Sequence, residues 1–134
     1  MCKKRKYLID GRFLASMKTG IDRYAYQIIN ELDKICDGLD IFILPGNAQN
    51  MPQYRNIKVI TKKSKSLWTQ AVFGGYALLH NMTPVNLCNE VSVIAKKGIV
   101  CLHDVCYVET KEYYPGVTDF DNSEIEWFKK LYRR

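Results

Sequence analysis

The chain has 134 residues, 47% of them hydrophobic and 25% charged, with a formal net charge of +6. That length and apolar content suit one globular domain with its own core and exclude a disordered or fibrous chain. The longest apolar runs, such as Ile41–Pro45 and Ile99–Leu102, are far too short to span a bilayer, and the basic stretch Met1–Lys6 leads into a short strand pattern rather than the apolar core of a secretory signal, so the chain reads as cytoplasmic.

The first predicted element is a strand over Lys6–Asp10, ending at Gly11 and a loop through Ser16–Gly20. A helix follows, with Ile21, Tyr24, Ala25, Ile28, Leu32 and Ile35 spaced by threes and fours onto one face. Thr19 is its candidate N-cap, Asp22 the reciprocal partner in a capping box, and Gly38 the residue placed to close it. Asp40–Leu44, stopped by Pro45-Gly46, reads as a buried strand of a parallel sheet, and Asn56–Thr61 as a third strand of β-branched type. Ser66 is a candidate cap for a helix to about His80, weakened by Gly74-Gly75. Val85–Cys88 and Ile99–Leu102 are the fourth and fifth strands, and Ser123-x-x-Glu126 opens a last helix with Ile125, Phe128 and Leu131 or Tyr132 inward. This alternation predicts an α/β fold with a mostly parallel sheet and helices on both faces.

In such sheets ligands lie beyond the carboxyl ends of the strands. Two places meet that rule. Thr19-Gly20 opens the long helix, where free backbone N–H groups and the helix dipole suit a phosphate and glycine allows close approach; one glycine before a helix is also simply a turn. His103-Asp104 follows the fifth strand, where the imidazole suits a sugar hydroxyl, a phosphate or a proton and Asp104 suits orienting it; the plainer alternative is a structural histidine and a loop cap. His80 is the only other histidine, so no histidine-based metal site is expected. The five cysteines, Cys2, Cys36, Cys88, Cys101 and Cys106, show no C-x-x-C pair and read as reduced thiols; a thiol catalyst pairing Cys101 or Cys106 with His103 is the sharper alternative. The basic clusters Lys3–Lys6, Lys62-Lys63-Lys65, Lys96-Lys97, Lys129-Lys130 and Arg133-Arg134 suit either a solvated surface or a phosphate-bearing partner. With no zinc-finger or RNA-recognition signature, nucleic acid is not the expected partner.

Three stretches taken together, "LIDGRFLASMKTGIDRYAYQIINEL", Trp68-Thr69-Gln70 and "GIVCLHDVCYVETKEYYP", resemble the N-terminal domain of family 4 glycosyltransferases, retaining enzymes of the GT-B fold that often build bacterial surface polysaccharides. The resemblance covers nearly the whole chain and implies a Rossmann-like, acceptor-side domain. It places His103, with Asp104 beside it, near the transferred sugar in the catalytic cleft, and Gly20, Thr19 and Arg23 near the donor diphosphate. Asp22 stands where many relatives have glycine. The partners implied are a nucleotide-sugar donor and a glycan or lipid-linked acceptor, with peripheral contact to an anionic membrane face and no bound cofactor or metal. The family's second, donor-binding domain carries a Glu-x7-Glu motif, and no two glutamates here are eight apart, so 1–134 is expected to be a single, incomplete domain that transfers no sugar by itself. An unfinished sheet edge favours pairing into a homodimer. The alternatives are a non-catalytic subunit completed by a separate donor-domain chain, and a generic Rossmann-like nucleotide-binding module.

Overall fold

Tyr7–Asp10 (β1) takes the centre of the sheet because both its faces are apolar. Leu8 points to one side and Ile9 to the other, and each is at most 2% exposed. The computed structural model describes residues 5–16, 18–37, 41–46, 48, 51–63, 66–95, 97–103 and 130. Met1–Cys101 form one compact unit and Leu102–Arg134 a second, in which Leu102, His103 and Lys130 are described.

The first unit is a Rossmann-like α/β fold. Its elements run β1 (Tyr7–Asp10), α1 (Phe13–Ser16), α2 (Gly20–Ile35), β2 (Ile41–Leu44), β3 (Lys58–Val59), a π-helix (Trp68–Gly74) continued by α3 (Gly75–Leu79), β4 (Thr83–Asn86) and β5 (Ile99–Val100). The five strands pair in the order β3-β2-β1-β4-β5, all parallel. Register follows the apolar pattern. Leu8 pairs with Phe42, and both pack against Trp68, Phe73 and Ala77 beneath the π-helix and α3. Ile9 pairs with Ile43, and both pack with Ala25, Ile29 and Ile57 beneath α2. Helices therefore cover both faces, and each fully buried large side chain contributes about 1.5–3 kcal/mol.

The cap of α2 forms as its sequence predicts. Thr19 Oγ1 accepts from the Asp22 amide at 3.1 Å, and the Asp22 carboxylate accepts from the Thr19 amide at 3.0 Å. The buried stripe differs from the expected one. Ala25 and Ile29 are fully buried and Leu32 and Cys36 pack beside them, whereas Tyr24, Ile28 and Ile35 are 42%, 40% and 81% exposed. The helix carries two apolar stripes one residue apart, and the sheet takes the one centred on small Ala25, which permits a closer approach. The helix ends at Ile35, with Cys36 extended; Gly38 and Asp40 lie outside the described residues.

β3 is shorter than Asn56–Thr61 because Asp33 takes the preceding amides. Its carboxylate accepts from Arg55 and Asn56 at 2.8 Å and from Ile57 at 2.9 Å. β4 ends at Asn86, earlier than the Val85–Cys88 reading. Asn86 Oδ1 accepts from the Cys88 amide at 2.8 Å and turns the chain. β5 is limited to Ile99–Val100. The expected helix from Ser66 begins instead after Leu67, which sits at φ 62° with no side-chain cap, and it begins as a π-helix. The wider i→i+5 turn aligns Trp68 with Phe73 and Thr69 with Gly74, and all four are buried. Gly74 is required by close approach: a Cβ there would lie 1.9 Å from Ser92 Oγ and 3.1 Å from the Thr69 carbonyl oxygen. The last predicted helix lies outside the described residues except Lys130, which is helical. Among the described residues no helix is long and apolar enough to cross a membrane.

Helix propensity alone makes Gly74→Ala stabilising by about 1 kcal/mol. The packing reverses the sign: Gly74→Ala is expected to cost about 1–3 kcal/mol in urea unfolding, with Ser92→Ala in the same chain recovering much of it. The three amides hold the Asp33 carboxyl below its ordinary value against a burial effect that raises it. Its contribution is therefore present above the unfolded-state carboxylate pKa and is lost as pH falls through the lower folded-state value. Asp33→Asn should flatten the acid limb of a stability–pH curve and leave its alkaline limb unchanged.

Candidate functional site

Asp10 and Asn86 are the last residues of two adjacent parallel strands, β1 and β4. The winding reverses between these strands, since β2 and β3 lie to one side of β1 and β4 and β5 to the other. Beyond their carboxyl ends opens a cleft of about 210 Å³, lined by Asp10, Arg12, Phe13, Asp22, Asn86, Cys88 and Glu90. This is where an open α/β sheet places a ligand.

The cleft is built around the Asp10 carboxylate, whose residue is 4% exposed. Its Oδ1 accepts from the Arg12 amide at 3.1 Å and from Trp68 Nε1 at 3.0 Å. Its Oδ2 accepts from Arg12 Nε at 3.2 Å and from Asn86 Nδ2 at 3.1 Å. Arg12 continues outward: Nη2 donates to Glu90 Oε2, which also accepts from Thr69 Oγ1. The Glu90 amide donates to Asn86 Oδ1 at 3.3 Å. Gln70 fastens the following loop, donating through Nε2 to the Val91 carbonyl and accepting from the Val93 amide. The π-helix makes this possible, because its successive residues Trp68, Thr69 and Gln70 all reach the β1 end or the loop after β4.

Burial is the largest influence on Asp10 and pushes its carboxyl above the ordinary value; the Arg12 guanidinium and amide and the Trp68 indole pull it down, and Glu90 adds to the rise. For Arg12, burial favours release of the proton, but Asp10 and Glu90 outweigh it and hold the guanidinium above its ordinary value. Ionised Asp10 thus costs stability as pH rises through its raised pKa, opposite in sign to Asp33. Burial, reinforced by Asp22 and Asp10, pushes the Cys88 thiol up to about 12, which leaves it a poor nucleophile at neutral pH. Cys36, Cys88 and Cys101 are free thiols, and Tyr24 Oη lies 3.6 Å from Cys101 Sγ. Among the described residues no group of three or more His, Cys, Asp or Glu side chains is arranged to hold a metal ion.

Three of the sequence-predicted residues belong to the same compact unit as the cleft. Thr19, Gly20 and Arg23 form the exposed first turn of α2 and do not line the cleft, although Asp22 of the same turn does. A Cβ on Gly20 would meet nothing within 4 Å. The Asp22 carboxylate already accepts from the Lys18 and Thr19 amides, both at 3.0 Å, so a phosphate at this corner would compete with it for the same donors. His103 follows β5 by chain order, is half-buried and belongs to the second unit; Asp104 lies outside the described residues. Sequence reasoning missed Asp10, Arg12, Asn86 and Glu90. Asp10 satisfies the same strand-end rule that drew attention to His103. Asn86 was hidden by a strand read two residues too long, and the Thr69–Glu90 contact has no local signal.

Comparison with known protein families, curated proteins and solved structures gives no match to this chain.

Removing the carboxylate by Asp10→Ala strands four donors, one of them a cationic guanidinium. The expected cost is about 3–5 kcal/mol in denaturant unfolding, with faster hydrogen exchange at the Trp68 indole N–H.

Proposed function

We propose that this chain is the acceptor-side domain of a retaining glycosyltransferase, acting with a donor-binding domain to move a sugar from a nucleotide-sugar donor to a glycan or lipid-linked acceptor at a cytoplasmic membrane face. The observation that carries this reading is the open polar cleft at the β1/β4 reversal of a parallel Rossmann-like sheet. A transferase domain of this architecture needs a rigid wall of hydrogen-bonding groups at that position, and the cleft supplies one. One of the family-like stretches supports it further: Trp68 and Thr69 anchor the wall through Asp10 and Glu90.

In this reading His103 contacts the transferred sugar, Asp104 orients it, and Thr19, Gly20 and Arg23 face the donor diphosphate outside the cleft, where it has to displace the Asp22 carboxylate from the Lys18 and Thr19 amides. Catalysis then depends on a transition state held between two walls, so the domain by itself turns over no donor. Contact with an anionic membrane through the lysine clusters brings the acceptor close.

The test is turnover by the protein purified from its own cell with whatever accompanies it. Release of nucleoside diphosphate from hexose donors should require added cell-surface glycan or glycolipid, and His103→Ala should lower it about a hundredfold or more with the thermal midpoint unchanged. Absence of donor-dependent release in that preparation overturns the proposal.

A further inference from the structure

The cleft has one cation among its lining residues, and that cation is committed. Arg12 Nε is held by Asp10 and Nη2 by Glu90. The nearby helix N-terminus is committed as well, because the Asp22 carboxylate sits on the Lys18 and Thr19 amides. Asn86 spends its amide group on Asp10 and its carbonyl on the Cys88 and Glu90 amides. The two features that ordinarily attract phosphate, a guanidinium and the start of a helix, each already carry a carboxylate of the protein.

Glu90 is held differently from the other two carboxylates of the cleft. Asp10 is enclosed and accepts through both oxygens. Asp22 is spent on capping α2. Glu90 has a side chain 42% exposed; its Oε2 is clamped by Arg12 and Thr69, and its backbone is tied to Asn86. Its Oε1 has no hydrogen-bond partner among the described residues. A carboxylate fixed at one oxygen and open at the other is a preorganised acceptor, and an O–H···O⁻ bond to it is charge-assisted.

We infer that Glu90 is the ligand-contacting residue of the cleft and that it selects a hydroxyl-rich ligand over a phosphate-bearing one. A ligand that brings donors meets an unpaired acceptor. A phosphate, which at neutral pH brings net negative charge and mostly acceptor oxygens, meets three carboxylates and a guanidinium already shared between two of them. The cleft volume of about 210 Å³ is below that of a drug-sized pocket and suits a single small ring. Arg12 and Thr69 act through Glu90 as positioning residues. The inference rests on the sugar-transfer reading for the ligand's class and adds the residue that receives it and the charge it rejects.

The test is a pair of titrations of the full chain followed by its backbone amide spectrum. One uses methyl glucoside, methyl galactoside and methyl mannoside in turn; the other uses inorganic phosphate. The glycosides are expected to shift the Cys88 and Glu90 amides, the two that donate to Asn86 Oδ1, and phosphate to leave them in place. Glu90→Gln should weaken the glycoside response by about tenfold or more. If that variant does not fold, the wild-type comparison decides alone. Phosphate shifting those amides, or every glycoside leaving them unmoved, overturns the inference. The sugar-transfer reading stands or falls separately, on donor turnover by the native preparation.

Discussion

A carboxylate buried at the end of the central strand cannot be left unpaired, and the compensation of Asp10 organises everything around the cleft. Four donors converge on it from three parts of the chain: Arg12 just beyond β1, Trp68 at the start of the π-helix and Asn86 at the end of β4. Removing two charges from water costs several kcal/mol per ion before pairing repays it, so such a cluster persists only when nearly every lone pair is used. Asp10 uses both oxygens. The consequence is a fixed geometry for Arg12, and through Arg12 a fixed geometry for Glu90.

The π-helix is the second constraint and answers to the first. Its turn is wide enough to stack residues five apart, Phe73 on Trp68 and Gly74 on Thr69. The wider turn keeps Trp68, Thr69, Phe73 and Gly74 on the buried side. Its start is strained, since Leu67 adopts a left-handed conformation at φ 62° that ordinarily disfavours a branched side chain. The close contact of Gly74 with Ser92 brings the helix against the loop that carries Glu90. Backbone strain, a rare helix type and a glycine contact thus all occur within one segment whose residues support the cleft.

Two carboxylates of similar chemistry have opposite titration behaviour because their surroundings differ. Asp33 accepts three backbone amides at the surface and is held in its charged form. Asp10 accepts from four donors but is enclosed, and desolvation outweighs its partners. One fastens the entry to β3 and the other frames a cleft. The difference in burial also separates a loop clamp from a candidate binding wall.

The sequence by itself determined the alternation of strands and helices, the capping box at Thr19 and Asp22, the parallel sheet and the strand-end rule that locates ligands. These are local or periodic properties, written in neighbouring residues. Which apolar stripe of α2 faces the sheet, where β4 stops and why Trp68 begins a π-helix were decided by tertiary structure, because each depends on a partner far away in the chain. Ile29 and Ile28 are equivalent to a periodicity count, and only the approach of the sheet to Ala25 separates them. Asp10 looked like the end of a strand until Trp68 and Asn86, 58 and 76 residues away, turned it into the centre of a site. A hydrogen bond between distant residues leaves no period in a sequence, so the cleft became legible only once the sheet had brought its strand ends together.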